Sequence, residues 1–411
     1  MAGGEDVGYH DSDVANQGGQ YSTEGVDIGA TNDPDADYYV GWTETAEWVQ
    51  YRVSLVKNTL VDIHFRVASE WQQGAIHLEL DGNVLTDSIP IPVTGDWHTW
   101  QTINIFGITL PSGTHSLRIV VDAPGFNLNY IDIVESGTAD VSACNNYSQP
   151  VKTGQLPSAL NEASGIVMSS YSNEQFWGHN DSGDSARLYG FNSAGTLLAT
   201  LSLADPFAFD WEDIARGKCS AQNNLQSCLF VGDIGDNAKV RGNIKIHRIP
   251  EQNPLSGNQV ITSYSSMTAV YEDGPHNAEA LVIDENNDLI ILTKSTSKHF
   301  NVYRAAFDSS QTGTFRLVGD VDLSSLPNDT QITGADYQID NKRLIVRTYS
   351  YVLEFELTAN QTLDDLALVQ WRQLPAAIEP QGEAISYGGS ADYWQISEGV
   401  NASIWHIGCL D

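Results

Sequence analysis

The 411 residues, 41% hydrophobic and only 18% charged, describe a folded chain with room for two or three domains. Twenty Lys and Arg against 53 Asp and Glu leave a net charge of −33, a surface that repels phosphates and excludes nucleic acid and anionic membranes as partners. No apolar run approaches the ~18 residues of a membrane span, and the start Met1-Ala-Gly-Gly-Glu-Asp has no basic end or apolar core, so the sequence reads as a mature or truncated soluble chain.

The acidity is even: residues 1–137 hold 4 basic and 20 acidic side chains (−16), and the remainder hold 16 and 33 (−17). Few lysines and even acidity point to a secreted protein in salty surroundings such as sea water, where screening removes self-repulsion. The four cysteines, Cys144, Cys219, Cys228 and Cys409, form no C-x-x-C pair, which favours two disulfides over a zinc site.

Along residues 1–137, apolar and polar positions alternate in short runs broken by Gly and Pro, as in Trp48-Val-Gln-Tyr-Arg-Val, Val61-Asp-Ile-His-Phe-Arg-Val and Ile76-His-Leu-Glu-Leu-Asp-Gly. Alternation of period two makes each run a half-buried antiparallel strand, and together they predict a jelly-roll-like β-sandwich. Small polar residues at 137–143 mark a boundary, so the second domain is placed at 144–411.

Beyond Cys144 a repeat sets in. Five segments open with an acidic or small residue and continue as an apolar strand: Glu162-Ala-Ser-Gly-Ile-Val, Glu212-Asp-Ile-Ala, Glu279-Ala-Leu-Val-Ile-Asp, Ala335-Asp-Tyr-Gln-Ile and Glu383-Ala-Ile-Ser-Tyr. Their starts are spaced by 50, 67, 56 and 48 residues, close to the ~40–50 of a four-stranded propeller blade with loop insertions. The expected architecture is therefore all-β, a sandwich followed by a five-bladed β-propeller. Ring closure brings the chain ends together, so Cys144 is expected to pair with Cys409, and Cys219 with the nearby Cys228.

In the first domain, Val40-Gly-Trp-Thr-Glu-Thr-Ala-Glu-Trp-Val-Gln-Tyr, Gly95-Asp-Trp-His-Thr-Trp, Leu110-Pro-Ser-Gly-Thr-His-Ser-Leu-Arg-Ile and Gly125-Phe-Asn-Leu-Asn-Tyr-Ile follow in order. This series resembles carbohydrate-binding module family 6 over nearly all of residues 3–135. The resemblance implies a β-sandwich that binds a polysaccharide in a loop-end cleft, with two aromatic rings on Trp42 and Trp97 and a hydroxyl-binding amide on Asn127, for which Asn129 is the competitor. The chemistry agrees, because pyranose rings offer flat C–H faces to aromatic planes and hydroxyls to a carboxamide. Trp48 and Trp100, inside strands, are expected in the core. Family members open with a strand whose acidic residues hold a structural calcium; this chain starts after that point, which leaves that strand and that ion open.

In a propeller the innermost strand of each blade starts at the face where the second strand ends. That rule puts Glu162, Glu212, Glu279 and Glu383 around one mouth, where four carboxylates repel one another unless a cation intervenes; Ca²⁺ is the expected cofactor. The second-strand ends, His179-Asn-Asp-Ser-Gly-Asp, Gly232-Asp-Ile-Gly-Asp-Asn, Lys294-Ser-Thr-Ser-Lys, Arg347-Thr-Tyr-Ser and Glu398-Gly-Val, add a second ring of His179, Asp181, Asp184, Asp236, Asn237, Lys294, Arg347, Tyr349 and Glu398. The spacing of the inner strands looks like that of five-bladed propellers of the calcium-dependent nucleotidase type and of glycosidases, without a match of motifs. Three activities fit. A glycoside hydrolase would use paired carboxylates, with His179, Asp181, Asp236, Arg347, Glu383 and Glu398 as catalytic candidates; a polysaccharide lyase would use His179 or Tyr349 on an anionic glycan; a non-catalytic glycan-binding protein would carry a calcium plug. H-E-x-x-H, G-x-S-x-G and P-loop signatures are absent from the sequence. A secreted, monomeric, polysaccharide-degrading protein is the first expectation.

Overall fold

A computed structural model describes residues 4–410 apart from 35, 57–58, 87, 139–143, 182, 205–207, 220–226 and 390–391, and side chains other than those at 60, 106–107, 109 and 136–138. The chain divides into two compact units, Met1–Asp140 and Val141–Asp411.

The first unit is a sandwich of two antiparallel sheets. One sheet runs β1 (Tyr9–His10), β4 (Trp48–Leu55), β10 (Gly113–Ala123) and β6 (Gly74–Leu80), with β7 (Asn83–Val84) and β8 (Ile89–Ile91) paired to β6. The other runs β2 (Ile28–Ala30), β3 (Tyr38–Val40), β11 (Asn127–Thr138), β5 (Thr59–Ala68) and β9 (Gln101–Leu110). Alternation decides which side chains enter the core: Val61, Ile63, Phe65 and Val67 of β5 are buried against Val49, Ile76, Leu78 and Ile119, while Asp62, His64 and Arg66 face away. A two-residue strand opens the first sheet, Tyr9 and His10 pairing with Val49 and Trp48. Trp48 and Trp100 are only half-buried and stand outside this core; Arg118 covers the Trp48 ring at 4.0 Å and Trp100 Nε1 donates to Thr31 Oγ1 at 3.1 Å.

The second unit is a five-bladed propeller. Blade 1 comprises Ala163–Met168, Gln175–Asn180, Arg187–Asn192 and Leu197–Leu203; blade 2, Trp211–Lys218, Ser227–Asp233, Ile244–Pro250 and Ser265–Tyr271. Blade 3 comprises Ala278–Ile283, Asp288–Thr293, His299–Ala306 and Gly313–Asp322; blade 4, Ile332–Gln338, Arg343–Thr348, Val352–Glu356 and Trp371–Leu374. Blade 5 takes Gly382–Tyr387, Tyr393–Ser397 and Ser403–Ile407 from the C-terminal end and its outer strand, Val151–Gln155, from the start of the unit. The two inner strands of each blade are buried on both faces and so read as near-continuous apolar runs, while the outer strands keep one face wet; five separate apolar clusters fill the five gaps between neighbouring blades. Cys144 pairs with Cys409 where the ring closes, and Cys219 pairs with Cys228.

The inner strands share one irregularity. In each blade the register slips by one residue at the start of the inner strand, between Ala163 and Gly165, Trp211 and Asp213, Ala278 and Ala280, Ile332 and Gly334, and Gly382 and Ala384. The bulged residues are Ser164, Glu212, Glu279, Thr333 and Glu383, and a bulge re-aims its side chain out of the strand's alternation. These five, and not the series that includes Glu162 and Ala335, are the equivalent positions of the repeat.

Candidate functional site

The sandwich gathers its candidate residues at one end by strand register. Asn127 pairs with Ala68, Leu128 with Val40 and Val67 with Gln101, so the end of β3, the end of β5, and the starts of β9 and β11 lie side by side. Trp42 follows β3, Trp97 precedes β9, and Asn127 opens β11. Trp42 is 50% exposed and sits at φ +49°, a left-handed conformation that bulky side chains seldom adopt. Its ring stacks over Tyr39 with an interplanar angle of 16°. Asn127 is buried and its Nδ2 donates to Trp97 O at 2.8 Å, which ties the amide to the loop carrying the second ring. Gly41 leaves the room: a Cβ there would lie 2.7 Å from Asn127 Oδ1. Trp97 is half-buried and makes an edge-to-face contact with the exposed Trp71, 5.0 Å between centroids, a third ring that sequence reading missed because its flanking residues carry no turn signal. Asn129 is committed elsewhere, with Nδ2 donating to Asp33 Oδ2 at 2.8 Å beside the Arg66–Asp33 ion pair. Near the chain start, Asp11, Asp13 and Asp27 bring carboxylate oxygens within 4.8 Å of one another, and burial pushes Asp27 up to about 6. Oxygen donors so placed suit a hard cation such as Ca²⁺.

In the propeller, Glu212, Glu279 and Glu383 project from equivalent bulges and are almost fully buried. Glu212 and Glu279 are hydrogen-bonded to each other, so one proton serves the pair. Burial raises both carboxyls: Glu212 well up, with Glu279 alongside adding to the rise, and Glu279 against the opposing pull of Lys294 Nζ, 3.1 Å from its Oε1, and of Asn277 Nδ2, which donates to the same oxygen at 3.1 Å. Burial also raises Glu383 to about 7, with Glu279 and Glu398 adding to the rise and Lys294 opposing it. Lys294 stands over the Tyr349 ring at 5.0 Å. Glu162 is exposed and hydrogen-bonded to Glu398, which also accepts from Gln381, at the edge of this group rather than in the ring of bulged residues.

Asp181, Asp210 and Glu212 form a carboxylate cluster at the mouth, with oxygens mutually within 4.8 Å. Asp210 is raised to about 6, by burial first and by Asp181 next. Three hard oxygen donors at that spacing fit Ca²⁺ better than the set Glu162, Glu212, Glu279 and Glu383 expected from sequence. Asp210 is held by Asp233, whose carboxylate accepts from the N–H groups of Phe209 and Asp210 and from Arg241 at 2.7 Å. Gly235 gives both acids room, because any Cβ there would collide with Glu212 Oε1 and Asp210 Oδ2. Asp213 reaches across the axis to accept from Leu281 N at 2.9 Å and Ala335 N at 3.4 Å, tying blades 2, 3 and 4 together.

Four expected members of the second ring, His179, Arg347, Asp236 and Asp184, are engaged elsewhere. His179 pairs in register with Gly165, one step inside the turn, so it points between blades 1 and 2, fully buried and edge-on to Trp211. Burial pulls its imidazole down to about 4. Arg347 holds the matching position in blade 4, opposite Gly334, and forms a buried ion pair with Glu379. Asp236 spends both carboxylate oxygens on a loop, accepting from Val240 N at 3.0 Å and Arg241 N at 2.7 Å. Asp184 likewise serves its own loop, accepting from Asn180, Arg187 and Tyr189, and exposed Asn237 accepts from Asn277. An elimination needing His179 as base loses its base. Asp210, Ser164, Thr333 and Asn277 went unread, although the acid in Asp210-Trp-Glu-Asp was a visible signal.

Residues 17–135 match the family described as carbohydrate binding module (family 6), so the first unit carries such a module. The clotting factor G alpha subunit of Tachypleus tridentatus is 28% identical over 117 residues, which are 28% of this chain and 17% of that protein; the chain thus spans less than a fifth of this relative. Among solved structures, the family 6 module of Cellvibrio mixtus lichenase 5A in complex with cellotriose is 29% identical, covering 30% of this chain and 96% of its own, with a TM-score of 0.26. A β-1,3-glucan-binding family 6 module from Bacillus halodurans is 25% identical, covering 27% and 86%, with a TM-score of 0.24. Among the described residues no helix is long and apolar enough to cross a membrane.

Proposed function

We propose that this is a secreted, monomeric polysaccharide-degrading protein in which residues 1–137 hold the glycan and residues 144–411 hydrolyse it. The observation that carries the first half is the exposed Trp42 ring beside Trp97 and the Asn127 amide at one loop end of a family 6 module. The similarity to one module in complex with cellotriose and another that binds a β-1,3-glucan makes β-glucans the first ligands to try. The two disulfides favour an oxidising, extracellular setting.

For the second half, the support is the convergence of Glu212, Glu279 and Glu383 from equivalent bulges on one mouth beside Lys294. Glu383 is the candidate proton donor to a leaving sugar oxygen, and Glu279, facing the Lys294 ammonium, the candidate carboxylate on the other side of the reaction. Asp181, Asp210 and Glu212 would hold a calcium ion, which supplies charge neutralisation at the mouth. Incubating the full chain with a panel of β-glucans and acidic glycans, and measuring new reducing ends and unsaturated products, tests the reading; reducing ends without unsaturation are expected, and neither product from any glycan would sink it. A second reading, a non-catalytic glycan-binding protein with a calcium-braced propeller, is favoured by the Asp181, Asp210 and Glu212 cluster. It predicts calcium-dependent melting with no product.

A further inference from the structure

Beside the acidic mouth, between the blade 2 loop and blade 3, lies a polar cavity of about 410 Å³ whose lining includes Lys239, His276, Asn277, Lys294, His299 and Asp320. Two of the chain's eight lysines line this one cavity, in a protein of net charge −33. Hydroxyl and amide groups from residues 293–301 complete the wall. The carboxylates within reach are already engaged: His299 Nδ1 lies 3.0 Å from Asp320 Oδ1, and His276 Nε2 lies 3.0 Å from Asp273 Oδ1. Lys294 and Asn277 are in turn held by Glu279, so among the described residues the exposed Lys239 ammonium is the cation of this wall not held by a carboxylate, and with the wall hydroxyls it suits an anionic oxygen substituent.

The backbone that carries Lys239 is braced. Its N–H donates to Asp236 O at 2.8 Å and Asp236 clamps the next two N–H groups, while Lys239 itself sits at φ +53° with its side chain exposed. Asn277 and Lys294 belong to both sites, each contacting Glu279 on the mouth side while lining the cavity on the other. We infer that this cavity receives the carboxylate or sulfate group of an acidic glycan, so that the adjoining sugar lies over Glu279 and Glu383. This assignment deepens the reading of the mouth as the glycan-active site and rests on it. It gives Lys239 and Lys294 the anion-holding part at the edge of the mouth.

The test is calorimetric titration of the full chain with three tetrasaccharides, one uronate-bearing, one sulfated and one neutral β-glucan, against Lys239→Glu and Lys239→Arg. Lys239→Glu is expected to weaken binding of the preferred anionic probe by about tenfold or more, the loss of one charge-assisted contact. Lys239→Arg should retain it, and the neutral probe should bind all three proteins alike. The two anionic arms separate carboxylate from sulfate. Equal affinity of wild type and Lys239→Glu for both anionic probes would overturn the assignment, as would a parallel loss of the neutral probe or no anionic binding by wild type. Because the readout is binding, an absence of hydrolysis would count against the proposed activity and leave this result to be judged separately.

Discussion

Replacing Glu383 by Gln tests how much of the propeller's stability is spent on crowding carboxylates at the mouth. Glu383 is 6% exposed, and burial with Glu279 and Glu398 nearby raises its carboxyl from 4.5 to about 7. A group raised in the folded state stabilises fully below its unfolded value, and that contribution disappears as pH climbs through the folded value. The rise corresponds to about 3 kcal/mol, present near pH 4 and gone by about pH 8. Asp210, raised to about 6, changes in the same direction but is partly exposed, so its share is smaller. In the presence of a chelator, wild-type melting temperature should therefore fall as pH rises from about 5 to 8, and Glu383→Gln should flatten that slope. At pH 8 the variant should melt roughly 6 °C above wild type for a unit of this size. Added Ca²⁺ should raise the wild type at pH 8 and narrow the gap, since an ion bound only by the folded state stabilises by mass action. Scanning calorimetry with and without chelator reads all of this. A wild-type profile flat over that range, or a Gln variant that melts lower in chelator at pH 8, would refute the account of the mouth.

Trp42→Ala and Trp97→Ala should each weaken β-glucan retention in affinity electrophoresis about tenfold or more, with melting unchanged, because each removes a sugar-stacking face; unaltered retention in both would remove them from the cleft. The Cys144→Ser and Cys409→Ser double variant should destabilise the propeller by up to about 5 kcal/mol, the loop-closure value for so long a loop, read by denaturant unfolding. Peptide mapping without reductant should recover the Cys144–Cys409 and Cys219–Cys228 pairs, and any other pairing would contradict the closure. His179 and His247, both pulled down by burial to about 4, should keep the NMR signature of neutral imidazole to about pH 5, and their stabilising contribution should be lost as pH falls from 6.5 toward 4. Titration of either ring near 6.5 would show that it is not buried.

The sandwich was legible because one face of each strand is wet: period-two alternation in Val61-Asp-Ile-His-Phe-Arg-Val states which side chains enter the core, and turn residues before Trp42 and Trp97 place both rings at strand ends. The blades were legible as apolar runs at blade spacing, but not their fine register. A bulge adds one residue without changing composition, so a repeat aligned on its glutamates selects Glu162, whereas pairing selects Ser164, and Thr333 in place of Ala335. The same slip explains His179 and Arg347. Each stands one position before the turn, and in a strand one position is the difference between the mouth and the gap between blades. Nothing local to Arg347 signals that its partner is Glu379, on another strand connection 32 residues away. The bulge also explains why the glutamates can be there at all. Regular alternation at that point of the inner strand would turn Glu212, Glu279 and Glu383 toward the apolar gaps, where an unpaired carboxylate costs several kcal/mol. Bulging all five strands at one level directs those side chains together instead, and the repulsion that follows is met by a shared proton between Glu212 and Glu279 and by the Lys294 ammonium. A fold that needed only to cap its blades could place Ser or Thr at every bulge, as blades 1 and 4 do; the acids in the other three, with a lysine set among them, are the part of the propeller that packing does not require.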